Sequence, residues 1–491
     1  MASNGKRKAA VEREKKNESV KRPKIDEDSG VQDIFDWASS HGARLDKLVL
    51  KEDGEKVLSE SVALASDFGR QFTTYLKQNP SDSANLSQGG RDPYAPGLVM
   101  LSGYLVYERF VKAKQCFWAP YLYNLPTQYS LPIWWETKEL EVGLAGTQLL
   151  HVVRERKKLL ERGLALLQRA CRDLFQDESL NWLNLLWAYS AISSRAFPRS
   201  RAATPVTDER FEIGQETVEA AGEASELCMY PALDLINHRR GERVEWQIKE
   251  TGENAGVAFI ALDDVQEGVE IFNNYGAKGN ENLLGNYGFV LDPNPEDYVK
   301  VAMQLRDDID PCAARKRTLL NRYSSRLIHL LFADDSFPSE LLAVTRVLVM
   351  KDYELTRFEK AFATAGTAPQ SPINPHNELR SLSTLHTLLT VKLEGLTNNQ
   401  PPESWTTNTY RKTLVWVYRK GQETILRHHI CNILTSMKDY ILQLAKAHWD
   451  PDHIDPPPTE FGPDAMDCVF WSMANQHFDW WCKERVGKVS E

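Results

Sequence analysis

Apolar side chains recur at helical intervals through residues 98–195, and polar side chains occupy the positions between them. The first set consists of Leu98, Leu101, Leu105 and Val106. A second set, interleaved with arginines and lysines, consists of Leu149, Val153, Leu160, Leu164 and Leu167. A third set lies in residues 182–192. Because spacings of three and four residues bring side chains onto one helix face, the pattern predicts a mainly helical region.

Between residues 227 and 290 the apolar positions instead alternate with polar ones. Residues 244–248, 257–260 and 269–272 each show this alternation, which is typical of a half-buried strand. Residues 264–268 end in Glu-Gly and predict a turn before the third strand. The pattern therefore changes here from helical to β-rich.

Helical spacing returns from about residue 300. One helix face is formed by Leu382, Leu385, Leu389, Leu393 and Leu396, and another begins at Leu414. These sets predict a separate α-helical domain. Two polar stretches, residues 80–96 and 198–226, predict loops.

The composition is that of an ordinary soluble globular protein, since 42% of the 491 residues are hydrophobic and 26% are charged. No uncharged apolar run approaches the roughly 18 residues of a membrane span, and the N-terminus lacks the apolar stretch of a secretory signal. The seven cysteines are odd in number and never spaced as C-x-x-C. We therefore expect no membrane partner, reduced thiols, and no structural zinc or other metal site.

Charge is distributed unevenly along the chain. The net charge is -9, yet residues 1–24 hold nine Lys or Arg and three Glu, a net of +6, which leaves -15 for the remainder. An acidic body fits basic protein substrates better than a nucleic-acid duplex, so no direct nucleic-acid binding is expected. Residues 1–30 predict a disordered basic tail. Its two basic clusters, residues 6–8 and 21–24, resemble a bipartite nuclear-import signal, with a solvated tail as the alternative; the predicted location is nucleus or cytoplasm.

Two short segments carry the most specific information. One is Asp234-Leu-Ile-Asn-His238, and the other is Asn274-Tyr-Gly276, followed by Tyr287-Gly-Phe289. In this order and spacing they resemble the C-terminal half of a SET domain, in the class of the Rubisco large-subunit and ribosomal-protein lysine methyltransferases. The stretch from Phe117 to Thr147 resembles the helical insert of that class.

The resemblance implies an α+β fold, with a β-rich SET core that contains a helical insert and is followed by an all-α C-terminal substrate-binding domain. The SET domain would cover residues 31–290, with the insert at about 98–195, and the α-helical domain would cover residues 300–491. The implied activity is methyl transfer from S-adenosyl-L-methionine to a lysine of a non-histone protein, with ribosomal proteins among the candidates. A lysine amine ordinarily titrates near ~10.4, so an apolar channel that disfavours its charged form would help the neutral nitrogen to attack.

The same resemblance assigns roles to named residues. Tyr275 would be the catalytic group, since its hydroxyl would lie beside the transferring methyl and orient the amine. The cofactor would be bound by Arg195, Phe197, Asn237 and His238. The substrate would be contacted by Asp234, Tyr275, Tyr287 and Phe289. Several of these residues also have a purely structural interpretation: a strand-end turn for Tyr275, a turn-orienting or capping carboxylate for Asp234, helix-end packing for Arg195 and Phe197, and core packing for Tyr287 and Phe289.

One part of the family pattern is missing. Members of this class place a Gly-x-Gly turn near the start of the SET domain, and no Gly-x-Gly occurs between residues 31 and 90. The missing turn favours one alternative, a catalytically silent SET-fold interaction protein. A second alternative, independent of the turn, is a protein-histidine methyltransferase.

Overall fold

The computed structural model describes most of the chain between residues 49 and 448. The described ranges are 49–50, 58–86, 95–175, 178–198, 227–249, 256–323, 325–333, 337–361 and 369–448, with Asp36, Ala38 and Ser40. The predicted basic tail, its import signal, and residues 51–57 lie outside the described residues. The chain divides into two compact units, Met1–Ser436 and Met437–Glu491.

Helices dominate the described ranges. They are α1 (Glu60–Ala65), α2 (Asp67–Gln78), α3 (Pro80–Leu86), α4 (Ala95–Val106), α5 (Ala119–Leu122), α6 (Thr137–Gly143), α7 (Gln148–Ala170), α8 (Trp182–Arg195), α9 (Asn280–Asn282), α10 (Ala313–Arg322), α11 (Ser339–Leu348), α12 (Asp352–Ala361), α13 (Pro375–Thr397) and α14 (Thr409–His448). Side-chain caps fix where several of them begin. Asn181 accepts the backbone N–H of Asn184 at 3.0 Å, and so satisfies a donor that the first turn of α8 would leave unpaired.

The strands are short and form small sheets. They are β1 (Val49–Leu50), β2 (Leu58–Ser59), β3 (Phe197–Pro198), β4 (Leu227–Met229), β5 (Asn237–His238), β6 (Val244–Lys249), β7 (Gly256–Ala261), β8 (Phe272–Asn273), β9 (Tyr298–Ala302) and β10 (Ile328–Phe332). The sheets have the orders β1-β7-β6, β2-β4-β3, β5-β8 and β9-β10. The β5–β8 pair is parallel, and the other pairs are antiparallel.

The predicted α+β class is confirmed, and three local predictions need correction. Residues 80–86 form α3 rather than a loop, because Pro80 fits the first turn of a helix. The third predicted strand, residues 269–272, is reduced to β8. Val269 and Ile271 are 48% and 42% exposed, and the N–H of Val269 donates to the carbonyl of Gln266 in a turn. Within the described residues from 298 to 448, helices are accompanied by the antiparallel β9–β10 ladder, which the helical prediction for this region did not include.

Two apolar clusters determine where the chain segments lie. The larger one joins side chains of α2, α4, α7 and α8 to Leu414, Val415, Val417 and Tyr418 of α14. The smaller one lies between β4, β6 and β7 and includes Tyr230, Trp246 and Phe259. Within the described ranges, no helix has the length and apolar character that crossing a membrane requires.

Candidate functional site

The two sequence motifs meet at the β5–β8 pair. Asn237 is paired with Phe272 and His238 with Asn273 in parallel register. His238 Nδ1 accepts the backbone N–H of Tyr275 at 3.0 Å, and the two rings stack with their centroids 5.0 Å apart. Residues 37 positions apart in the chain are thus in direct contact.

Tyr275 has a hydroxyl group whose proton is directed to the backbone. It donates to the carbonyl oxygen of Ile236 at 2.9 Å. A phenol has one donor and two acceptor lone pairs, so this bond orients the oxygen as an acceptor. The side chain is half-buried, which leaves part of the ring open to solvent.

The turn around Tyr275 is built by two asparagines that the sequence interpretation did not single out. Asn274 Oδ1 accepts the N–H of Gly276 at 2.9 Å, and its Nδ2 donates to the carbonyl of Glu242 at 3.2 Å. Asn273 is fully buried and accepts the indole N–H of Trp246 at 3.3 Å. Gly276 has a φ of 90°, a conformation that side chains with a Cβ rarely adopt. The Asn-Asn-Tyr-Gly string is the signal that could have identified this turn.

Aromatic rings surround Tyr275. Tyr287 lies with its ring centroid 5.0 Å from that of Tyr275, and Phe289 lies 6.2 Å from both Tyr287 and His238. Gly288, with a φ of 77°, lets the chain turn between the two residues. The structure therefore brings together four of the predicted site residues, and three of the rings are half-buried.

Arg195 and Asp234 form a second group. Asp234 belongs to the same sequence motif as His238, and Arg195 interacts electrostatically with Tyr275. Arg195 Nη1 donates to the backbone carbonyl of Asp234 at 2.9 Å. Burial lowers the pKa of Arg195, but Asp234 and three nearby tyrosines, one of which is Tyr275, outweigh it, so the net shift is upward. The guanidinium is therefore permanently charged beside the site.

Asp234 is buried and bonded to a residue of the helical insert. Its Oδ2 accepts a hydrogen bond from the hydroxyl of Tyr121. Burial raises the pKa of Asp234 to about 6, while Arg195 and Tyr121 oppose this rise. The contact fits a turn-orienting role for Asp234, and its contact with substrate stays a prediction. Tyr121 was missed as a site residue, although it lies in the insert stretch from Phe117 to Pro126.

Phe197 is not part of the cluster around Tyr275. It lies in β3, and its ring packs 4.8 Å from that of Trp246 and 6.2 Å from that of Tyr230. Its link to the site runs through Trp246, which bonds Asn273. A cofactor contact by Phe197 stays a prediction.

Several polar atoms in this region could receive a charged ligand. Within the described ranges, Arg195 Nε and Asp234 Oδ1 are buried and make no hydrogen bond. Asn237 is exposed, and its Nδ2 donates to Glu270 Oε1 at 2.7 Å, which leaves its amide oxygen as an acceptor. A guanidinium donor and an amide acceptor are the groups that the carboxylate and ammonium of an amino acid require. No group of three or more metal-ligating side chains occurs among the residues that the structure describes.

Two family descriptions match the chain. Residues 47–276 match "SET domain", and residues 307–425 match "Rubisco LSMT substrate-binding". Similar curated proteins are the "Actin-histidine N-methyltransferase" of Rattus norvegicus, 26% identical over 343 residues, and that of Homo sapiens, 25% identical over the same length. Each alignment covers 66% of this chain and 53% of the relative. The chain thus spans about half the length of the curated relatives it matches.

Solved structures share the fold. One is described as "Crystal structure of the SET domain of LSMT bound to Lysine and AdoHcy", with a TM-score of 0.63 and 16% identity, covering 87% of this chain and 98% of that one. Another, "Structure of Rubisco LSMT bound to AdoMet", has a TM-score of 0.62 and 16% identity, covering 87% and 97%. At this level of identity, the likeness concerns the fold.

Proposed function

Since this chain carries a SET domain followed by a Rubisco LSMT substrate-binding domain, we propose that it is an S-adenosyl-L-methionine-dependent protein methyltransferase. The observation that carries the proposal is the geometry of Tyr275. Its ring is stacked on His238, and its hydroxyl proton is bonded to the carbonyl of Ile236, so the hydroxyl oxygen is oriented as an acceptor beside both motifs. A substrate-binding domain in the same chain favours a protein as the second substrate.

The proposed cofactor residues fit the amino-acid end of S-adenosyl-L-methionine. Arg195 would bind its carboxylate through Nε, which makes no hydrogen bond within the described ranges, and Asn237 would accept from its ammonium. The bonded pair of His238 and the Tyr275 backbone would form the adjoining wall. When bound, the cofactor supplies a methyl group on a positively charged sulfur. No Gly-x-Gly turn is needed for these contacts.

Tyr275 would act by orientation and by charge. Its oxygen lone pairs can accept weak C–H contacts from a methyl group that carries partial positive charge. The same oxygen can accept a hydrogen bond from the attacking nitrogen and so align it. Because the hydroxyl proton is already held by Ile236, the acceptor direction is set before the substrate arrives.

We favour lysine as the methylated residue. The rings of Tyr275, Tyr287 and Phe289 present aromatic faces around the acceptor oxygen, and such faces suit an alkyl-ammonium group. Desolvation between the rings lowers the pKa of a bound amine and so supplies the neutral nucleophile. A non-histone protein remains the proposed substrate.

Histidine is the second candidate, and a specific observation favours it. The curated relatives described above are named as actin-histidine N-methyltransferases. An imidazole is neutral over much of the physiological pH range, so it needs no desolvation to act as a nucleophile.

One experiment separates these possibilities. The full chain is first titrated calorimetrically with S-adenosylmethionine and S-adenosylhomocysteine, with Arg195→Ala as the test variant and the exposed Arg154→Ala as control. We expect micromolar binding that Arg195→Ala weakens and Arg154→Ala preserves. Absence of binding by a folded chain would instead support the silent interaction protein.

The methylated residue is then determined directly. The chain is incubated with methyl-labelled cofactor and fractionated cell protein, and labelled protein is hydrolysed to amino acids. Label in methyllysine supports the favoured proposal. Label in methylhistidine refutes it and selects the second candidate.

A further inference from the structure

Helix α14 contacts the site segment at both ends of that segment. The site segment is residues 280–288, which begin with α9, continue as a π-helical turn over Leu283–Tyr287 and end at Gly288. Tyr418 donates to Glu281 Oε2 at 2.9 Å near the start of the segment. Tyr410 donates to the carbonyl of Gly288 at 3.2 Å at its end.

The two tyrosines lie eight residues apart, so they project from the same face of α14. Tyr418 is fully buried and Glu281 is 7% exposed, which shields their bond from water. A hydrogen bond to a buried carboxylate is stronger than one between neutral groups at the surface. Losing it would remove this donor from a carboxylate that is buried, and such a loss is costly.

A third contact fixes the start of the site segment. Asp297 accepts hydrogen bonds from the backbone N–H and the side-chain amide of Asn280. Gly421 of α14 lies directly against this carboxylate, because a Cβ at Gly421 would clash with Asp297 Oδ2. Asp297 cannot withdraw from an added methyl group without leaving Asn280, so α14 also controls the start of the segment through Asp297.

The helical insert bounds the segment from another side. Arg156 of α7 donates to the carbonyl of Gly285 at 3.2 Å, and a Cβ at Gly285 would come within 3.0 Å of a Leu149 methyl. The segment ends in Tyr287, whose ring lies 5.0 Å from that of Tyr275. A shift of the segment would therefore move the ring of Tyr287 relative to the hydroxyl oxygen of Tyr275.

We propose that Tyr410 and Tyr418 are positioning residues, which hold segment 280–288 so that Tyr287 and Phe289 stand correctly against Tyr275. This inference rests on the proposed function for its catalytic consequence and on the contacts alone for its structural one. The substrate-binding region thus forms part of the site's framework as well as a surface for substrate.

The test compares Tyr418→Phe and Gly421→Ala with two matched controls in the same region. Tyr353→Phe alters a tyrosine of α12 that is 62% exposed. Gly395→Ala alters a glycine of α13 at which a Cβ meets nothing within 4 Å.

The first readout is hydrogen exchange of the segment's amides in the full chain. We expect Tyr418→Phe and Gly421→Ala to raise exchange at least tenfold in residues 281–288, and the controls to leave it unchanged. Unchanged exchange in both test variants overturns the proposal.

The second readout separates positioning from cofactor binding. We expect Tyr418→Phe to lower kcat about tenfold while the Kd for S-adenosylhomocysteine stays within about twofold. Equal losses of kcat and cofactor affinity would contradict the positioning role. If the wild-type chain transfers no methyl group, the proposed function fails, while the exchange result still decides whether α14 holds the segment.

Discussion

At the residue scale, the hydroxyl of Tyr275 is the atom on which the proposed chemistry depends. Tyr275→Phe removes the acceptor but keeps the ring that stacks on His238 and contacts Tyr287. We therefore expect turnover to fall roughly 100-fold, with the cofactor Kd within about twofold of the wild-type value. Steady-state kinetics and calorimetry on the same preparations measure both, with Tyr353→Phe as control. Equal loss of turnover and affinity would show that the residue serves structure only.

Gly276 provides a second test at this scale. Its φ of 90° is matched by the φ of 81° at Gly268, which lies in the exposed turn before β8. Alanine at either position should destabilise the fold by about 1 kcal/mol, since both conformations disfavour a Cβ. Only Gly276→Ala should also weaken S-adenosylhomocysteine binding, because only its turn carries Tyr275. Urea denaturation and calorimetry check this, and equal binding by both variants would argue against the placement of the site.

Residue types in short motifs could be predicted from sequence, but their partners could not. The meeting of His238 with Tyr275 follows from a motif pair whose spacing is specific. Tyr121, by contrast, bonds Asp234 from 113 positions away in the chain. No local pattern encodes such a pair, because its two members belong to elements that meet only after the core has packed.

At the element scale, long amphipathic helices and alternating strands were predictable, whereas short elements were not. α7, α8, β6 and β7 appear where their apolar spacing placed them. α3 was missed because its seven residues are mostly polar. β9 was missed because the prediction for its region rested on the apolar spacing of the longer helices. In such short segments, tertiary packing outweighs intrinsic propensity.

The junction between α9 and the start of β9 predicts a pH dependence of stability. Burial raises the pKa of Asp297 to about 7, with Glu281 and Asp292 adding to the rise and Asn280 opposing it. The folded chain therefore keeps this proton up to a higher pH than the unfolded chain does. The resulting stabilisation is complete below about pH 4 and is lost as pH rises through 7.

Asp297→Asn tests this expectation, because its cost in lost Asn280 bonds is the same at every pH. Relative to the variant, the wild type should lose about 2 kcal/mol of unfolding free energy between pH 5 and pH 8. Urea denaturation at the two pH values provides the measurement. A difference that does not change with pH would mean that Asp297 is ionised throughout.

At the scale of the whole molecule, the two matched regions share one core. Leu414, Val415, Val417 and Tyr418 of α14 are buried in the same cluster as the helical insert. Burying a large apolar side chain contributes about 1.5–3 kcal/mol, and a domain's net stability is only about 5–15 kcal/mol. A fragment that ends at residue 306 should therefore bind a hydrophobic dye and unfold without a cooperative transition, while the full chain melts cooperatively. Cooperative melting of the fragment near the full chain's Tm would contradict the shared core.

The bond from Tyr418 to Glu281 joins residues that are 137 positions apart. During synthesis, the ribosome releases the residues of the Tyr275 cluster well before it releases α14, at about 5–20 residues per second. The nascent chain therefore holds Tyr275 for several seconds without the helix that completes its surroundings. We expect methyl transfer to begin only after the C-terminal region has left the exit tunnel, so a stalled or truncated translation product would be inert even though it contains every motif residue.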